Sequence, residues 1–92
     1  MDLVFISNQI KYDILTICGK PARQAYNLLT DTPLYSIGYD DDDDLCRKLE
    51  YKLQLIAEEY NTGKSISYGA VSKNLTVRQC IQLVIFISEW HF

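Results

Sequence analysis

The stretch Asp40-Asp41-Asp42-Asp43-Asp44-Leu45-Cys46-Arg47-Lys48-Leu49-Glu50-Tyr51-Lys52-Leu53-Gln54-Leu55-Ile56-Ala57-Glu58-Glu59-Tyr60 decides the fold class. Leu45, Leu49, Leu53, Ile56 and Tyr60 recur at spacings of three and four residues, while Arg47, Lys48, Glu50, Gln54, Glu58 and Glu59 take the other face. That period is the mark of an α-helix with one side on a core. Asp44 suits its N-cap, and negative charge near the positive end of the helix dipole is favoured by about 0.3–1 kcal/mol per group. Asp43 with Arg47 and Asp44 with Lys48 are i,i+4 pairs in the better orientation. Gly63 is expected to close the helix after Asn61-Thr62.

Outward from this helix the chain divides into further helical pieces. Toward the N-terminus, Ile10, Ile14, Ile17 and Cys18 share one face of a helix starting near Ser7, whose hydroxyl suits a cap. Gly19 fits the C′ position, and Pro21 fits the first turn of a short helix over residues 21–30 with Ala22, Ala25, Leu28 and Leu29 inward. Asp31-Thr32-Pro33 stops that helix. Leu34-Tyr35-Ser36-Ile37-Gly38-Tyr39 has no helical period and reads as a loop or short extended piece. Toward the C-terminus, Thr76 is a good N-cap for a helix carrying Val77, Cys80, Ile81, Val84, Ile85 and Ser88 on one side, with Leu83 and Ile87 beside them. This segment is apolar nearly all round, as expected of the central helix of a bundle. Its run Val84-Ile85-Phe86-Ile87 also suits a buried strand, with Val4-Phe5-Ile6 as a pairing candidate. The expected architecture is an all-α compact bundle of about four helices, with room for a short extended segment or small β element.

A chain of 92 residues forms one domain, residues 1–92, with one modest core. With 48% apolar and 23% charged residues it is globular in composition. The net charge of −3 and pI near 4.9 argue against a surface built broadly for nucleic-acid phosphates. Met1 to Ile6 carry Asp2 and no cation, unlike a signal peptide, and residues 80–87 are too short to span a bilayer. Cys18, Cys46 and Cys80 each sit in an apolar helical pattern without CxxC or CxxH spacing. They read as buried free thiols in a reducing, cytoplasmic setting, with no metal or other cofactor implied. His91 is the only histidine, so a nucleophile with a histidine base would have to be built next to the chain end; the expectation is a non-enzymatic protein.

The five consecutive aspartates carry the functional expectation. Asp40, Asp42 and Asp44 match the first ligand positions of a calcium loop, but Leu45 stands where glycine is needed and Tyr51 where glutamate is. Capping and pairing account for Asp43 and Asp44; Asp40, Asp41 and Asp42 have no such structural reason. Carboxylates in a row imitate a line of phosphates, so a basic groove of a nucleic-acid-binding protein or nuclease would accept them. An inhibitor of the anti-restriction or immunity type is the class this charge pattern suggests. Glu58 and Glu59, with Asp31 and Glu50, would extend the acidic stripe, and Tyr35 and Tyr39 would anchor the contact as aromatics beside a charged patch. The partner-binding set is therefore Asp40, Asp41, Asp42, Asp43, Tyr35, Tyr39, Glu58 and Glu59. The apolar last segment, ending in Trp90 and Phe92, leaves room for a homodimer seam.

A competing reading lies in residues 65–88. Ile66 to Ile81 is similar to a helix-turn-helix unit, with Ala70 in the tight inter-helix position, Asn74 in the left-handed turn and Thr76 capping a recognition helix. Ser67-Tyr68-Gly69 followed by Val71-Ser72 resembles the start of the DNA-binding helix of alkyltransferase-type proteins, over about fifteen residues. Gly69 and Lys73 depart from the pattern, and the active-site motif of that family is absent, so alkyl transfer is not implied. Lys64, Lys73 and Arg78 make a thin phosphate footprint, which disfavours direct nucleic-acid binding.

Overall fold

A computed structural model of the chain describes residues 3–39 and 43–85. Three α-helices, α1 (Leu3–Ile17), α2 (Asp43–Glu59) and α3 (Val77–Val84), and two short 3₁₀ helices, Ala22–Asn27 and Leu34–Ser36, make up the regular structure. The fold is all-α, and the one β element among the described residues is an isolated antiparallel bridge between Pro33 and Thr76. Helices α1 and α2 run antiparallel. Phe5 at the start of α1 meets Tyr60 just past the end of α2, edge to face at 6.0 Å, while Ile17 at the end of α1 lies beside Lys48 and Tyr51. Helix α3 closes the core over both, with Val77, Cys80, Ile81 and Val84 fully buried against Ile6, Ile10, Ile14, Leu49 and Leu53.

Helix α1 begins four residues before Ser7. Ser7 is buried inside it, and its hydroxyl donates to the Val4 carbonyl at 3.1 Å. A side chain that returns its hydrogen bond to the preceding turn is satisfied within a helix and marks no start. Val4, Phe5 and Ile6 are therefore helical and pair with no strand. Gly19, at φ +80°, ends the helix in the expected C′ position: the Lys20 amide donates to the Leu15 carbonyl and the Gly19 amide to the Thr16 carbonyl.

The expected second helix over 21–30 is a 3₁₀ helix of six residues. Of its four inward candidates only Ala25 is buried, and Leu29 is 70% exposed. Helix α2 stops earlier than Gly63 would have it. Asn61 takes the left-handed conformation at φ 52°, with Asn61 and Thr62 amides donating to the Glu58 and Ala57 carbonyls, so asparagine performs the C′ role that glycine performs in α1. The N-cap expectation for Asp44 also fails, since Asp43 and Asp44 are both already in the first helical turn.

Residues 60–76 contain no helix. The helix-turn-helix reading of 65–88 needs one over residues 66–72 and an asparagine hinge at Asn74; neither is present, and the left-handed non-glycine residue is Asn61. Thr76 does cap α3: its hydroxyl accepts from the Gln79 amide, and the Gln79 side chain accepts from the Thr76 amide. The remaining first-turn donors are used as well. The Val77 amide donates to the Thr32 carbonyl at 3.0 Å and the Arg78 amide to the Thr30 carbonyl at 2.7 Å. Segment 30–35 thus covers the N-terminus of α3, where a recognition helix would meet DNA. Helix α3 ends at Val84 and Ile85 is extended; Phe86 to Phe92, with the expected homodimer seam, lie outside the described residues.

Replacing Thr76 by alanine removes the hydroxyl half of the capping box and leaves the backbone amide of residue 76 bonded to Gln79. It is expected to lower the unfolding free energy by about 1 kcal/mol, read as a shift of the urea midpoint with an unchanged slope.

Candidate functional site

Helix α2 does most of its polar work inward. Arg47 and Glu50, on successive turns, form an ion pair at 3.0 Å and together hold both backbone polar groups of one residue of the irregular stretch: Glu50 accepts from the Val71 amide at 2.9 Å, and Arg47 donates to the Val71 carbonyl at 2.6 Å. One turn further on, Gln54 accepts from the Ile66 amide at 2.7 Å. The Arg47 guanidinium also lies 4.8 Å from the centre of the Tyr68 ring. That cation–π contact partly compensates its Nε, a buried nitrogen with no hydrogen-bond acceptor. Arg47 is therefore committed to Glu50, Val71 and Tyr68 and does not make the expected i,i+4 pair with Asp43. Glu50 is buried and forms no part of an acidic stripe.

The outer face of α2 carries the sequence-predicted acids at its two ends. Asp43 and Asp44 are exposed in its first turn and Glu58 and Glu59 in its last, roughly 20 Å apart at about 1.5 Å per residue. Between them stand Lys48, Tyr51 and Lys52, all exposed, so the two acidic ends are separate patches. Lys48, Tyr51 and Lys52 line a groove of about 420 Å³ with Ile17 and Asp44, and Arg47, Tyr51 and Tyr68 border a second of about 290 Å³ over Ile66. Tyr51 and Tyr68 are 65% and 87% exposed; Tyr51 shares a groove with Asp44, Tyr68 stacks on Arg47, and the sequence placed neither in the binding set. Their signal was faint: Tyr51 falls on the polar side of the helical period, and Tyr68 follows a serine and precedes a glycine.

Tyr35 is half exposed, as an anchor requires. Tyr39 is not an anchor: it is 1% exposed, and its hydroxyl donates to the Ile14 carbonyl at 2.6 Å. Burial holds its ionisation well above the ordinary phenol value, with Cys18, Cys80, Cys46 and Asp13 around it adding to the effect. Asp40, Asp41 and Asp42 lie outside the described residues. All three cysteines are free; Cys46 and Cys80 are buried, whereas Cys18, at the end of α1, is half-buried. Burial pushes the Cys80 thiol up to about 12, with Cys46 beside it, and raises Cys18 as well. Thiols held protonated in this way are poor nucleophiles. Among the described residues no group of three or more His, Cys, Asp or Glu side chains is placed to hold a metal ion, and no helix is long and apolar enough to cross a membrane.

One buried carboxylate stands apart. Asp13, 8% exposed on α1, has its pKa raised from 3.8 by desolvation, against the opposing pull of a Gln9 hydrogen bond and the Lys52 charge. No protein-family model, curated protein or solved structure matches this chain.

Two outcomes follow for stability. Glu50→Ala strands both the Arg47 guanidinium and the Val71 amide and should cost about 3 kcal/mol in urea unfolding, while Glu50→Gln, which keeps an acceptor for the amide, should cost less. For Asp13 the folded pKa lies above the unfolded one, so its contribution is fully present below the unfolded pKa and is lost as pH rises through the folded pKa. Asp13→Asn should therefore raise the melting temperature at neutral pH, with the gain vanishing in acid below the ordinary carboxylate value.

Proposed function

We propose that the protein is a non-enzymatic binding module that docks the aspartate run 40–44 onto a basic surface of another protein, in the manner of a nucleic-acid mimic that occupies the groove of a nuclease or nucleic-acid-binding protein. The observation that carries this reading is the position of the run. Five carboxylates in sequence lead into α2, and the last two, Asp43 and Asp44, stand exposed on its first turn. That turn is part of a helix tied to the rest of the molecule through Arg47 and Glu50, so the charge sits on a firm base. Charges held in place steer a basic partner and lose little freedom on binding.

The proposed contact centres on residues 40–44, with Tyr51 and the half-exposed Tyr35 as the aromatic candidates near it in sequence. Glu58 and Glu59 belong to the other end of α2 and would meet the partner only if it spans the whole helix. The cytoplasm suits the module, since three free thiols persist in a reducing compartment. Direct DNA binding finds little support here: the α3 N-terminus is covered, and the Arg78 guanidinium is turned onto the Thr30 hydroxyl at 3.3 Å.

Affinity capture from the source cell with the native chain and with the variant carrying Asp40→Asn, Asp41→Asn and Asp42→Asn tests the reading. A basic protein retained by the native chain, released by moderate salt and lost with the variant is the expected result. The variant should melt where the native chain does, because the three positions precede α2. Equal retention by the variant, or a captured partner of acidic character, would contradict the proposal.

A further inference from the structure

We infer that the outer face of α2 is a self-association surface, which pairs antiparallel with α2 of a second copy of this chain about a two-fold axis. Lys48, Tyr51, Leu55, Glu58 and Glu59 are all exposed, and at about 100° per residue they fall within roughly 100° of arc. Lys48, Tyr51, Leu55 and Glu58 follow one another at spacings of three, four and three, the period of a seam between two helices. Tyr51 and Leu55, 65% and 39% exposed, lie side by side at i,i+4 in the middle of the stripe. Adjacent apolar side chains left in water mark a contact site, where a single one would not.

The order of charge selects the occupant. Along the stripe the cation Lys48 comes before the apolar pair, and the anions Glu58 and Glu59 come after it. A nucleic acid would be attracted at one end and repelled at the other, and a uniformly basic surface would meet the same conflict in reverse. A copy running parallel would set Lys48 against Lys48 and Glu59 against Glu59. A copy running antiparallel sets cation against anion at both ends and apolar against apolar in the centre.

The register follows from the apolar pair. When Tyr51 of each copy stands level with Leu55 of the other, the two-fold axis crosses at the level of Leu53, and Lys48 is level with Glu58 of the second copy and about 1.5 Å along the axis from its Glu59. A two-fold axis brings like edges of the stripe together. Lys48 and Glu59 lie on the same edge, about 20° apart in projection, so they form the ion pair, made twice. Lys52 lies further round toward α1, where its charge acts on the buried Asp13. The overlap covers residues 47–59, roughly 18 Å of helix, a small seam that gives a weak, reversible dimer. Asp43 and Asp44 fall beyond it, so the inference does not rest on the docking reading of residues 40–44, and neither fails with the other.

Sedimentation equilibrium of the full chain at rising concentration, with ¹⁵N NMR spectra of the same samples, tests the inference. A monomer–dimer equilibrium is expected, with concentration-dependent shifts centred on residues 47–59. Lys48→Glu and Glu59→Lys each bring like charges together twice and should weaken the dimer about tenfold. Both changes in one chain, or an equal mixture of the two single variants, should restore association to within about threefold of the native chain. Leu55→Asp should abolish the dimer and leave the monomer folded, since the side chain lies outside the core. The inference is overturned if the native chain stays monomeric at every concentration, or if its dimer shifts map to another face. It is overturned equally if the single variants dimerise as the native chain does, or if the exchanged charges fail to restore association.

Discussion

The grip of Arg47 and Glu50 on the backbone amide and carbonyl of Val71 is the interaction on which the rest of the arrangement depends. Residues 60–76 have no regular structure of their own, so their buried backbone groups must find partners elsewhere. Helix α2 supplies them, through Glu50 to the Val71 amide, Arg47 to the Val71 carbonyl and Gln54 to the Ile66 amide. With the stretch held, the Lys73 and Leu75 carbonyls accept from the Tyr35 and Leu34 amides, and the Thr30 and Thr32 carbonyls accept from the first amides of α3. Each link positions the next. Without the first, α3 would lose its cover and the alignment that seats Cys80, Ile81 and Val84 in the core.

This chain of dependencies also decides what the surface has to offer. The charged residues in the middle of α2 that sequence alone would assign to solvent are partly consumed: Arg47 and Glu50 turn to Val71, and Lys52 acts on the buried Asp13. What remains outward is an acidic start, an acidic end and a basic, tyrosine-bearing middle. A continuous acidic stripe is thereby replaced by a local patch at the head of a fixed helix.

Much of the framework was legible in the residues. The leucine period of α2, the C′ glycine at Gly19 and the Thr76 cap all appear where local rules place them, because each depends on neighbours a few positions away. Ser7 misled because a hydroxyl that bonds back to Val4 looks, in sequence, the same as one that caps. Glu50 misled because its partner on the backbone, Val71, is distant in sequence and nothing local marks it. Tyr39 was read as an exposed anchor from the aspartates beside it, whereas its burial is set by Ile14 and three cysteines from other elements. The apparent helix-turn-helix failed for the same reason: the Ile66 amide and both backbone groups of Val71 bond to α2, and a single Ala70-to-Ser67 turn stands where a helix was expected. Of the expected partner-binding residues, Asp43, Tyr35, Glu58 and Glu59 are exposed, and Tyr51 and Tyr68 emerged only once the fold brought them to Arg47.

Native-state hydrogen exchange at the Val71 amide tests this account most directly. An amide in an irregular stretch ordinarily exchanges quickly; held by Glu50 within the grip, it should exchange as slowly as the amides of Leu49 and Leu53 in α2, and Glu50→Ala, which removes the acceptor, should speed it more than Glu50→Gln. Exchange of Val71 at the rate of an unprotected loop amide, with α2 still protected, would show that the grip does not hold the structure together.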